Sequence, residues 1–277
     1  MSTTQIRWLL KVIQPERTLA SLPGGAGLSQ ETHALLLGLP PEVYAAELGH
    51  MRAEAKQAAA ELLADPAVAS MVDRLPLQKG AKVVAFGDSL TSEPQSWAVV
   101  LREVVAARRG ADGISWAVSA AGGETTTHGL VRVGEVIGQQ PDWILLFTGT
   151  NDARTQGAHP TKTLVHHKET ARNVAELRQR ISRETRARCV WITSPAVDEA
   201  QVSAHGGLAR FGVRFRNEAL ARVARIVRDL DEPTIDLFSI LGTPPPAELL
   251  MGDGLHFTLA GQKRLALEVI KGWSNLK

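Results

Sequence analysis

From Lys82 onward, apolar runs of strand length alternate with stretches of helical periodicity. The pattern predicts strands at 82–86, 114–118, 143–148, 189–193 and 234–237, and helices at about 96–108, 128–138, 161–186, 208–230 and 258–271. Each helix returns the chain to the same end of the sheet. The strands therefore run parallel, with helices covering both faces. Right-handed crossovers set the carboxyl ends of all strands along one edge, and ligands of such sheets bind beyond that edge. The alternation thus fixes an α/β fold and says where a site must lie.

The first 80 residues carry helical signals and no strand signal, so the chain divides into an N-terminal helical extension, 1–80, and an α/β domain, 81–277. Ser29 is placed to cap a short helix that stops at Gly38, and Pro40-Pro41 opens a longer one. In the latter, Tyr44, Leu48, Met51, Ala55, Ala59 and Leu62 recur at helical steps and form one apolar stripe. Asp65-Pro66 ends it and starts another short helix. The stripe has to be buried. Packing on the α/β domain, a lid over the site, and a homo-oligomer through these helices are the alternatives. Pro23-Gly24-Gly25-Ala26-Gly27 reads as a flexible loop and Pro244-Pro245-Pro246 as a stiff one.

Charge excludes some partners. Lys and Arg number 31 against 29 Asp and Glu, and the two arginine-rich stretches, 172–188 and 210–228, are interleaved with glutamates and apolar residues at helical spacing. They read as solvated helix faces, not as a nucleic-acid surface. The single cysteine, Cys189, lies in an apolar run and has no partner for an intrachain disulfide. No run approaches the roughly 20 apolar residues that span a bilayer. The run from Trp8 to Ile13 is interrupted by Lys11, so no secretory leader is expected and the expected location is cytoplasmic.

The chemistry is carried by four short segments. Ser89 follows the first strand in Gly87-Asp88-Ser89-Leu90 and is the candidate nucleophile. A serine hydroxyl needs a base to take its proton as it attacks. His256 is the candidate base, because imidazole titrates near the working pH. Asp253, three residues earlier, is placed to fix its tautomer and stabilise the imidazolium. Thr258 can cap the last helix, which frees Asp253 for that role. Of the other histidines, only His50 has an acid three positions before it, Glu47, and both fall inside a predicted helix of the extension. His205 is the best substitute for His256, or a pocket residue.

An oxyanion needs preorganised donors. The backbone N–H groups of Ser89 and Gly123 and the side-chain amide of Asn151 are the candidates, each just after a predicted strand or within its following loop. Taken singly, Gly122-Gly123 reads as a turn and Asn151 as an Asx-turn. Together with the serine and histidine they describe acyl transfer. Asp88 and Asp152 are expected to hold loops by accepting backbone N–H bonds. No metal is expected, since His166 and His167 are helix neighbours that point apart, and no phosphate-binding glycine loop occurs, so no cofactor is expected either.

With these residues in view, the chain resembles the GDSL family, also called SGNH hydrolases, over about residues 82–271. The blocks are Gly87-Asp88-Ser89-Leu90, Gly123-Glu124-Thr125, Gly149-Thr150-Asn151-Asp152 and Asp253-Gly254-Leu255-His256. The resemblance implies a flavodoxin-like three-layer α/β/α sandwich with a five-stranded parallel sheet. It implies ester hydrolysis through an acyl-serine intermediate without a cofactor, with Ser89, Asp253 and His256 as the triad and Ser89, Gly123 and Asn151 as the oxyanion hole. Many members carry an asparagine shortly before the second block. Here that stretch is Ser119-Ala120-Ala121-Gly122, which leaves Gly122 as an alternative donor. Small residues around the motifs point to short-chain acyl esters. Carbohydrate O-deacetylation, thioester or lysophospholipid cleavage, and a non-catalytic scaffold stay open.

Overall fold

The computed structural model describes residues 1–19 and 24–276. The described elements of the N-terminal region are all helical. Helix α1 spans Thr3–Val12, with Ser2 and Gln5 forming a reciprocal capping box. A short helix, Gln30–Leu36, is capped by Ser29, and α2 runs Pro41–Leu63. Asp65 caps a further helix at Pro66–Asp73. The expected loop at Pro23–Gly27 begins outside the described residues, and Gly25–Gly27 forms a single 3₁₀ turn.

Strands β1 (Lys82–Gly87), β2 (Ser115–Ala120), β3 (Trp143–Phe147), β4 (Arg188–Ile192) and β5 (Thr234–Ile235) form one parallel sheet in the order β2-β1-β3-β4-β5. Helices α3 (Trp97–Arg109), α4 (Thr126–Gly138), α5 (His167–Glu184), α6 (Asn217–Arg228) and α7 (Leu259–Ser274) cover its faces. The expected α/β fold with a five-stranded parallel sheet, preceded by a helical region, is what forms. The direction of winding reverses between β1 and β3, and such a switch point opens a crevice at the carboxyl edge.

The strands alternate strictly between two cores. Val83 and Ala85 of β1, Leu145 and Phe147 of β3, and Val190 and Ile192 of β4 pack with Trp97, Leu101 and Trp273 on one face. Val84, Phe86, Ile144, Leu146, Cys189 and Trp191 pack with α4, α5 and α6 on the other. A fully buried apolar side chain contributes about 1.5–3 kcal/mol. A one-residue slip would exchange the faces of a whole strand, so the register is firmly set. Cys189 is a buried free thiol, and burial pushes its pKa up to about 12.

The apolar stripe of α2 is divided between two cores. Ala55, Ala59 and Leu62 join the first core, together with Val68 and Val72 of the next helix. Tyr44, Leu48 and Met51 bury against Leu10, Ala34 and Leu39. The stripe is thus spent within the chain.

Two helices differ from expectation. The segment expected as one helix over 208–230 divides into Gly206–Ala209 and α6. Gly212 takes φ +64 and packs on the backbone of Gly157, while Thr155 and Arg214 bridge in antiparallel fashion, so the chain cannot stay helical there. The helix expected from 161 begins at His167, capped by His166, because Leu164 and Val165 are drawn onto the backbone of Arg154 and Asp152.

Candidate active site

Ser89 leaves β1 as the first residue of a single helical turn, Ser89–Ser92. Its backbone N–H therefore has no acceptor within that turn. Asp88 fixes the entry by accepting from the Leu90 N–H at 3.0 Å. Burial pushes the Asp88 carboxyl up to about 7, against the pull of that bond.

Asp253 and His256 lie in a turn between β5 and α7. One Asp253 oxygen accepts from the N–H groups of Leu255 (3.0 Å) and His256 (2.9 Å). The other lies 2.6 Å from His256 Nδ1. Gly254 makes this possible, for it adopts φ +69, and a Cβ there would stand 2.8 Å from Asp198 O. Burial alone would raise the pKa of Asp253. The adjacent His256 charge and these hydrogen bonds outweigh it and hold the group well below the usual carboxylate range. An ionised Asp253 cannot donate, so Nδ1 must carry the ring proton. Nε2 is then the free acceptor, and it lies 3.1 Å from Ser89 Oγ. Ser89, His256 and Asp253 are thus brought into one buried hydrogen-bonded chain. Thr258 caps α7, leaving Asp253 to the ring.

Asp152 holds the neighbouring loops, accepting from the Thr126 N–H (2.8 Å), Thr126 Oγ (2.6 Å) and Thr170 Oγ (2.8 Å). Asn151 directs one amide hydrogen to the Glu124 carbonyl at 3.0 Å, leaving its second N–H uncommitted. This bond ties the β3 loop to the β2 loop beside Gly123, which takes φ +78. Gly122 instead backs onto α1, where a Cβ would stand 3.3 Å from Val12 O. His205 has its ring 5.5 Å from that of Trp8 and lines a cavity that Asp253 also borders, as a pocket residue would. Among the described residues, no group of three His, Cys, Asp or Glu is placed to hold a metal ion.

Sequence reasoning missed the part played by α1. Lys11, read as an interruption of an apolar run, is buried in an ion pair with Glu93 at 2.8 Å and donates to the Phe257 carbonyl at 3.3 Å. It thereby joins the segment after Ser89 to the segment after His256. The amphipathic pattern offered no sign of a partner so distant in sequence. A cavity of about 890 Å³ lies between Trp8, Leu9 and Lys11 of α1 and the loops bearing His205, Met251 and Asp253. A second, of about 440 Å³, lies beside Gly122, Gly123 and Glu124, under Arg17. Replacing Lys11 by Met should cost about 3–5 kcal/mol, because Glu93 is left buried without a counter-charge. The expected readout is faster proteolysis within residues 1–19, with protection regained in Lys11→Met/Glu93→Gln. Unchanged cleavage of the single variant would show that the pair does not hold α1.

The sequence profile of the GDSL-like Lipase/Acylhydrolase family matches residues 85–264. The chain belongs to this family. As a GDSL-like lipase/acylhydrolase it is a hydrolase of the esterase kind. Among solved structures, it is similar to a lipase/acylhydrolase from Enterococcus faecalis, with 24% identity, a TM-score of 0.56, and coverage of 70% of this chain and 95% of that one. It is also similar to a catalytic mutant of an acetylxylan esterase from Geobacillus stearothermophilus, with 17% identity, a TM-score of 0.55, and coverage of 71% and 95%. These likenesses concern the fold. No curated protein matches the chain. The GDSL profile begins inside β1, so α1 and α2 lie outside it. No helix among the described residues is long and apolar enough to cross a membrane.

Proposed function

We propose that this GDSL protein hydrolyses short-chain carboxylic esters through an acyl-serine intermediate. The observation that best supports the reading is the buried chain from Ser89 Oγ to His256 Nε2 and from Nδ1 to Asp253. Ser89 attacks the ester carbonyl as His256 takes its proton. The N–H groups of Ser89 and Gly123 and the free amide hydrogen of Asn151 receive the oxyanion. His256 then returns the proton to the departing alcohol, and water repeats the sequence to release the acid. Short acyl groups are favoured by the small side chains that share the serine's turn, Thr91 and Ser92. The fold likeness to an acetylxylan esterase adds acetylated carbohydrates to the substrates worth testing.

Initial rates on p-nitrophenyl esters from acetyl to palmitoyl test this. Rates should be highest for the shortest chains and fall by several orders of magnitude in Ser89→Ala. A maximum at long chains would overturn the short-acyl reading. Within the same reading, the location is cytoplasmic. Assembly of copies would use the exposed Leu35 and Leu36 of the helix Gln30–Leu36, and sedimentation as a monomer would end that part.

The pH dependence follows from His256. Burial disfavours its charged form, but Asp253, Glu93 and Asp88 face the ring, and together with the Asp253 bond they raise its pKa above the ordinary 6.5. A general base acts when unprotonated, so a raised pKa moves the acid limb of kcat/KM upward. The rate should fall as pH drops through a value above 6.5 and level off on the alkaline side. A limb at or below the ordinary histidine value would contradict this.

A further inference from the structure

Arg154 carries a charge that no carboxylate among the described residues answers. It follows the Gly149–Asp152 block directly, and its backbone is fixed at both ends. Its N–H donates to the Asn151 carbonyl at 3.2 Å, and its own carbonyl accepts from the Leu164 N–H at 2.7 Å. The side chain is half-buried, and one terminal nitrogen stands 3.9 Å from where a Cβ on Gly123 would lie. Its Nε is buried and has no hydrogen-bond partner among the described residues. Burial lowers the pKa of the guanidinium, and no carboxylate among the described residues opposes it. Two other partly buried arginines, Arg109 and Arg132, are paired. Arg109 meets Asp112 at 2.8 Å, and Arg132 lies 2.7 Å from both Glu124 oxygens.

A cation withdrawn from water without a counter-charge is unfavourable, and an anion of matching shape relieves the cost. The guanidinium is planar and permanently charged, which suits a carboxylate. Because it is held on a rigid turn beside Gly123, the relief would come from a group on the substrate itself. We propose that Arg154 is the anion-recognising residue of the substrate site, and that the preferred esters carry a carboxylate within a few bonds of the scissile carbonyl. This rests on the serine-hydrolase reading, which puts the carbonyl at Gly123.

The test compares three esters: neutral p-nitrophenyl acetate, mono-p-nitrophenyl glutarate with its charge on the acyl side, and 4-acetoxybenzoate with its charge on the alcohol side. The wild type should favour one of the two anions, and the favoured one identifies the side. Arg154→Met should lose about 10–100-fold in kcat/KM on that ester, through KM, while the neutral acetate changes by less than about 3-fold. Arg154→Lys, which keeps the charge without the fork, should fall between them and serves if the Met variant fails to fold. Equal losses on all three esters, or no change in charge preference, would overturn the proposal. If the wild type turns over none of them, it is the serine-hydrolase reading that fails. Calorimetry with glutarate and 4-hydroxybenzoate then decides on Arg154. Binding that requires Arg154 supports the proposal, and binding that is absent or indifferent to the substitution refutes it.

Discussion

Replacing Ser89 with alanine is expected to lower kcat/KM for p-nitrophenyl acetate by on the order of 10⁵-fold, with His256→Ala close to it. The two losses should not multiply in the double variant. The base acts only through the nucleophile it deprotonates, and the 3.1 Å contact between Ser89 Oγ and His256 Nε2 makes them one unit. The residual rate would come from binding and the oxyanion donors. Ser89→Ala removes a single oxygen from a buried position and disturbs no other long-range bond of that side chain, so its thermal midpoint should stay near that of the wild type. A variant that unfolds would leave the activity loss without mechanistic meaning. A folded Ser89→Ala protein with wild-type turnover would remove Ser89 from the chemistry.

Asp253→Asn should cost on the order of 10⁴-fold, less than loss of the serine. Asparagine can still accept from the Leu255 and His256 N–H groups through its single oxygen, as one Asp253 oxygen does at 3.0 and 2.9 Å. The turn should therefore survive. What changes lies on the other side of the side chain. An amide NH₂ would face Nδ1 where the carboxylate now lies at 2.6 Å, so Nδ1 must become the acceptor. The ring proton then sits on Nε2, opposite Ser89, and the imidazole can no longer take the serine proton. Asp253→Ala would lose the turn bonds as well, and should be less stable than Asp253→Asn by thermal melting. Equal activity of Asp253→Asn and wild type would mean that the carboxylate does not set the tautomer.

The strand positions could be read because each apolar run feeds two opposed cores, leaving little room for polar residues. The candidate site could be read because Ser89, Gly123 and Asn151 follow strands whose ends the topology gathers on one edge. What escaped depends on long-range contacts. The break before α6 follows from Gly212 meeting Gly157; the glycine is a weak local signal, and the contact that makes it decisive lies outside residues 208–230. Helix α1 did have a local signal, the Ser2 and Gln5 capping box. Its place across the site, however, is set by Lys11 pairing with Glu93. Nothing in the sequence around Arg154 marks it as a site residue; its unpartnered Nε and its place beside Gly123 show only in the fold.

The most direct test of the serine mechanism is covalent labelling of the folded wild-type protein with a fluorophosphonate probe, located by peptide mass spectrometry. One adduct per chain is expected, on Ser89, formed more slowly as pH falls through the His256 pKa and absent from Ser89→Ala and His256→Ala. An adduct on another residue, or labelling of Ser89 that is indifferent to His256→Ala, would contradict that mechanism.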